Sequence, residues 1–370
     1  MVLHAEVRRH VTDLNHLYLL SSLYSGFPHL LHSTCPLLRN NIEKTPFKIK
    51  PYSPSSHGSQ IGVDFFGSVT VPSRHSHTNV PTVPSKEESM IVDTHVHVWE
   101  IDPPRYPIGP TAPNWKSLPD EPGTSDELLE EMDRDGVDRT VLVQTSWSTW
   151  DNGYIADSVA RFPDRFIGHG LIDPQDPRNA DHVRYWMQDR GLVGFRFHPI
   201  YYPDEKILLT PQNEPMWEAI AGLNAIIQFH LRPDFADQVD AIARRYPHLT
   251  LIIDHMGYPK VDEAPATYQP ILDLAQHPNM YLKLSDVAGH SRQKKFPYAD
   301  VHPSIKAALS AFGSARMTWG TGYPGHHRVK HKWPTLSEEL RLVREGLPFL
   351  TDGDRERILG GTAAKIWKLT

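Results

Sequence analysis

The chain has 370 residues, 39% of them hydrophobic, enough to bury a large core. Its formal net charge of -6 offers no electrostatic hold on nucleic acid or on an acidic membrane surface. A single cysteine, Cys35, excludes an intrachain disulfide and a thiolate zinc site, and the sequence has no apolar run long enough to span a bilayer. A reducing, cytoplasmic setting fits that cysteine usage.

Residues 1–89 are rich in Ser, His and Pro, as in Pro51-Tyr52-Ser53-Pro54-Ser55-Ser56-His57, and carry neither a helical nor a strand period. The mildly apolar stretch Leu14–Leu31 is broken by His16, Gly26, Pro28 and His29, which makes a poor secretory core. A disordered leader, or an upstream extension of the reading frame, suits this composition better than an organelle address. Glu6, Asp13 and Glu43 count against the address. Met90 stands just before the first firm strand.

From residue 90 onward, apolar runs alternate with amphipathic stretches. Strands are expected at 91–98, 140–145, 166–171, 192–197, 225–230, 249–254, 280–285 and 316–320. Helices are expected near 125–136, 152–162, 178–190, 213–223, 233–246, 265–276 and 302–312, then at 335–346 and 353–368. Eight strand–helix pairs in roughly 280 residues predict an α/β fold of the (β/α)8 TIM-barrel class. A doubly wound open sheet is the fallback. The proline-rich span 101–123 is too irregular for a helix and reads as a loop over the pocket.

Such barrels build their chemistry at the C-terminal strand ends. The first strand reads Asp93-Thr94-His95-Val96-His97-Val98. Side chains two apart on a strand share a side, so His95 and His97 project together. Neutral imidazole is a common metal ligand, and the pair reads as half of a divalent-metal site; two hydrogen-bonded strand histidines are the plainer alternative. Later strand ends add Gly194-Phe195-Arg196-Phe197-His198, Gln228-Phe229-His230, Ile253-Asp254-His255-Met256-Gly257, Lys283-Leu284-Ser285-Asp286 and Trp319-Gly320-Thr321-Gly322-Tyr323-Pro324. Each is weak alone. Together they form a constellation, because buried imidazoles need partners. Arg196 could grip a carboxylate with two parallel hydrogen bonds, or form an ion pair inside the barrel. Trp99, Trp115, Trp147, Trp150 and Trp319 could wall an apolar pocket or simply pack in the core.

With these motifs in this order, residues 90–370 resemble the amidohydrolase-2 (amidohydrolase-related) branch of the amidohydrolase superfamily, which includes sugar-acid and pyrone dicarboxylate lactonases. The leader lies outside the resemblance. It implies that His95, His97 and His230 hold one divalent cation, zinc or manganese, although some lactonases of this branch work without metal. It implies that His255 orients water or substrate. No lysine stands on strand five, which argues against a carbamate-bridged metal pair. Phe296-Pro297-Tyr298-Ala299-Asp300-Val301 is similar to a pocket-lining loop of the pyrone dicarboxylate lactonases. Arg196, His198, Tyr298 and Trp319 are then the substrate-facing residues.

One departure stands out. The family usually carries an aspartate base in the eighth-strand run, where this chain has Gly322. Asp286, or His326 or His327, could supply the base instead; the chemistry could need none there; or the protein could bind a ligand without turnover. Asp286 also reads as an ordinary turn or N-cap residue. The resemblance therefore implies a metal-dependent hydrolase that opens a carboxylated or sugar-derived lactone. The alternatives are a metal-dependent decarboxylase or a ligand-binding pseudoenzyme. Decarboxylases of the superfamily often replace the first histidine of the pair with glutamate, and His95 is retained. The expected partner is a small-molecule substrate, with neither nucleic acid nor membrane; a homo-oligomer is compatible with the sequence.

Overall fold

The computed structural model describes residues 89–111, 118–202 and 206–370. The leader expected over residues 1–89 falls outside these, except for its last residue, and so does Trp115. The strands are β1 (Val92–Val96), β2 (Arg139–Val143), β3 (Phe166–Leu171), β4 (Gly194–Phe197), β5 (Ile226–Phe229), β6 (Leu251–Ile253), β7 (Met280–Leu284) and β8 (Met317–Trp319). Each pairs in parallel with the next, in the order β1-β2-β3-β4-β5-β6-β7-β8. This is a TIM barrel, as the alternation of strands and helices predicts.

The helices are α1 (Ser125–Asp135), α2 (Gly153–Arg161), α3 (Asn179–Arg184), α4 (Glu214–Gly222), α5 (Ala236–Arg245), α6 (Gln269–Asp273), α7 (Val287–His290), α8 (His302–Phe312), α9 (Gly325–His331), α10 (Leu336–Arg341), α11 (Asp352–Glu356) and α12 (Thr362–Trp367). Local chemistry sets the ends of α1. Thr124 caps its N-terminus by accepting from the Glu127 N–H, and Gly136 closes it at φ 73°, a left-handed conformation that glycine adopts without strain. The helix expected at 265–276 is broken into turns around the short α6, since Pro265 and Pro270 are tolerated only in a first turn. The one expected at 353–368 is interrupted by a π-helical turn at Arg357–Gly361. None of the described helices is long and apolar enough to cross a membrane.

Side chains of alternating parity divide two layers. Phe195, Phe197, Ile227, Phe229, Leu251, Ile253, Leu282, Leu284, Met317 and Trp319 are buried in the main apolar core. The intervening positions His95, Arg196, Gln228, Asp254 and Lys283 are equally buried but polar. The seam between β8 and β1 is closed by side chains. Thr94 Oγ1 donates to the Trp319 carbonyl at 2.6 Å, and Asp93 accepts from the backbone N–H groups of His95 and Thr321 and from the Thr321 hydroxyl. A Cβ on Gly320 would stand 2.8 Å from the Cβ of His95, so only glycine lets β8 approach β1 this closely. Register slips in β1 between Asp93 and Val96, a bulge of the kind that re-aims side chains beside active sites. Beyond it the His97 N–H bonds the Gly322 carbonyl at 2.7 Å.

Candidate active site

A cavity of about 670 Å³ is lined by His95, His97, Arg196, His230, His255, Asp286, Tyr298 and Gly322 among others. The barrel thus brings together the strand-end histidines, Arg196 and Asp286. Two expected residues take other places. His198 stacks on Tyr201 at 4.7 Å and sets its Nδ1 2.9 Å from His230 Nδ1, bracing that ring. Trp319 is 1% exposed and belongs to the apolar core around the barrel.

Asp254 anchors the floor. One oxygen accepts from Arg196 Nε at 2.7 Å, and the other lies 3.0 Å from Lys283 Nζ and 3.6 Å from His95 Nδ1. Burial alone would raise its pKa, but Lys283 and Arg196 overcome that and hold it well below the usual carboxylate range. Lys283 also donates to Gln228 Oε1 at 2.8 Å. Burial brings its pKa down to about 8, so it is cationic at neutral pH.

That cation fixes the histidine tautomers. Lys283 Nζ lies 3.0 Å from His95 Nδ1, and an ammonium can only donate. The His95 proton therefore sits on Nε2, 3.3 Å from His97 Nε2, while His97 Nδ1 donates to the Val143 carbonyl at 2.7 Å. Both rings are neutral, since burial pushes His95 well below its ordinary value and His97 down to about 3. Arg196 Nη2 donates to His255 Nε2 at 3.1 Å, which leaves the other ring nitrogen to donate to Ser285 Oγ at 3.0 Å. His230 Nε2 meets the Tyr258 hydroxyl at 2.5 Å.

His255 reaches the cavity through an unusual backbone. His255, Met256, Gly257 and Tyr258 all have positive φ, between 50° and 67°. Non-glycine residues pay about 1–2 kcal/mol each for this region, and such strain gathers at functional sites. Asp286, at φ 54°, lines the same cavity, and burial raises its carboxyl above the usual range. His326 is committed elsewhere, with its Nδ1 on the Glu127 carboxylate. His327 packs among Trp99, Tyr323, His331 and Trp333.

Residues 92–369 match the amidohydrolase family along nearly the whole barrel. The chain belongs to the amidohydrolase family. This amidohydrolase is 27% identical over 246 residues to an L-fucono-1,5-lactonase of Burkholderia ambifaria, covering 64% of this chain and 82% of that one. It is 30% identical over 269 residues to a 4-sulfomuconolactone hydrolase of Rhizobium radiobacter, covering 69% and 83%. A crystal structure of a probable 2-pyrone-4,6-dicarboxylic acid hydrolase from Acinetobacter baumannii, with citric acid bound, superposes with a TM-score of 0.61 at 17% identity, covering 75% of this chain and 99% of that one.

Whether the amidohydrolase can hold a divalent ion depends on its donors. Among the described residues, the ligand-type atoms that gather within 4.8 Å of one another belong to His95, Asp254 and His255, a possible ligand cluster that lacks His97 and His230. Asp254 is already shared between Lys283 and Arg196, and Arg196 occupies His255 Nε2. A dication would join two fixed cations with one carboxylate as counter-charge, and both nitrogens of His230 face other partners. As arranged here, the cluster of His95, Asp254 and His255 does not fit a resident divalent cation.

Glu339 of α10 was not singled out from the sequence, where it is one acid on an amphipathic helix. It is 5% exposed, lines the cavity, and is pushed up to about 8 by burial. The unfolded chain loses this proton near pH 4.5, whereas the folded protein holds it to about pH 8. Unfolding therefore releases a proton in that window, and stability falls as pH rises through it. Glu339→Gln is expected to flatten the stability–pH curve between those limits in denaturant titrations; an unchanged slope would assign the loss to other groups.

Proposed function

We propose that this amidohydrolase opens a carboxylated or sugar-derived lactone by attack of water, without a resident metal ion. The observation that carries the reading is Arg196. It is held on two sides by Asp254 and His255 and faces a cavity walled by neutral imidazoles. A donor fixed in advance, in a place shielded from water, is what an oxyanion growing on a carbonyl requires. The lactone carbonyl rests against Arg196. Water bonds to the carbonyl carbon and gives a proton to Asp286. The ring C–O bond then breaks, and the leaving oxygen takes that proton as the alcohol. The product is a hydroxy acid, which ionises at neutral pH and releases one proton per ring opened.

Gly322 has no side chain to act as base, and Asp286 lines the same cavity with a carboxyl that burial makes more basic than an exposed one. A zinc or manganese ion held by His95, Asp254 and His255 would have to pull Asp254 away from both cations. The two lactone-hydrolysing relatives support the choice of substrate class. The test is a pH-stat assay with a sugar-acid 1,5-lactone and with muconolactone. One equivalent of acid per lactone and no carbon dioxide is expected. Silence with both, or carbon dioxide from a hydroxybenzoate, would sink the proposal.

A further inference from the structure

Arg328, on α9, is 3% exposed and lines the cavity. Its Nη1 donates to the Pro334 carbonyl at 2.9 Å, its Nε is buried without a partner, and no carboxylate oxygen of the described residues lies within 4.0 Å of the guanidinium. A buried arginine without a direct counter-ion is costly. The carboxyls that feel its charge are Asp93, Glu131 and Glu339, and burial raises the pKa of all three, to about 6 for Asp93 and about 8 for Glu339. Glu339 is uncharged at neutral pH, and Asp93, which is charged there, spends its oxygens on the backbone of His95 and Thr321 and on the Thr321 hydroxyl rather than on Arg328. By contrast Arg196, the other cavity arginine, already has Asp254. At the same cavity, Lys332 forms no ion pair within the described residues, and Lys294 Nζ meets only the carbonyls of Ala288 and Gly289, at 2.9 and 2.8 Å.

We infer that Arg328 anchors a carboxylate of the substrate remote from the reacting carbonyl, with Lys332 and Lys294 drawing that anion in. Arg196 serves the ring carbonyl and Arg328 the remote acid, so the preferred substrate is an acidic lactone rather than a neutral one. A guanidinium fork suits a carboxylate because it can donate two parallel hydrogen bonds. The identity of the ring rests on the lactonase reading; the anion subsite does not, and its test needs no turnover.

The test is calorimetry on the full chain with glutarate and its neutral diamide, comparing wild type, Arg328→Met and Arg328→Lys. Arg328→Met should weaken glutarate roughly 10- to 100-fold, as for loss of a charge-assisted hydrogen bond, and leave the diamide within about two-fold. Arg328→Lys keeps the buried charge but not the fork, and should weaken glutarate by about five-fold or more. If the methionine variant does not fold, the lysine variant decides. Wild type that fails to bind glutarate, equal losses for glutarate and diamide, or glutarate binding unchanged in the folded variant would overturn the assignment. Lactone opening by wild type would stand in each case. For an acidic lactone, Arg328→Met should raise KM far more than it lowers kcat.

Discussion

Asp254→Asn is expected to destabilise the fold by about 3–5 kcal/mol and to abolish measurable turnover. The substitution hardly changes shape. It removes the one carboxylate that Arg196 and Lys283 share among the described residues, at 2.7 and 3.0 Å. Two buried cations are left facing each other without compensation. Lys283→Met should be milder, because Asp254 and Arg196 then remain as a balanced pair. Denaturant melts of the two variants give the order directly, and an Asp254→Asn protein as stable as Lys283→Met would contradict the charge accounting of the floor. Because the folded pKa of Asp254 is depressed, its contribution is present above the unfolded carboxylate value of 3.8 and is lost as pH falls below it.

Asp286→Asn is expected to lower kcat by roughly 10²- to 10⁴-fold, the range of a lost general base, with melting behaviour close to wild type. The side chain is half-buried and its charged form is disfavoured by desolvation, so a neutral amide costs the fold little. Activity near the wild-type level would move the base elsewhere. Restoring the family's aspartate at Gly322 is a poorer test. A Cβ there meets nothing within 4 Å, but φ is 133°, a conformation that suits glycine and strains other residues.

Much of this was legible in the sequence, for physical reasons. The barrel follows from apolar runs alternating with amphipathic stretches, and the joint projection of His95 and His97 from their two-residue spacing. The parity of β8 separates Trp319 from the site. Trp319 lies on the apolar side with Met317, and Gly320 on the side of His95. The end of β6 was hidden, because the chain leaves the strand at Asp254 through successive left-handed residues. Lys283 carries no role that its sequence neighbours on β7 reveal. A lysine on the inward parity of Met280–Leu284 is a signal, but its meaning depends on Asp254, His95 and Gln228, which become neighbours only when the barrel closes. Arg328 and Glu339 come from helices after β8, where no sequence period marks a residue as cavity-facing.

The most direct measurement of the central claim is acid release from muconolactone by protein dialysed exhaustively against a chelator, with metal content determined on the same sample. Stoichiometric acid release at an undiminished rate is expected with far less than one metal ion per chain. A rate that vanishes on chelation and returns with zinc or manganese would contradict metal-free water attack.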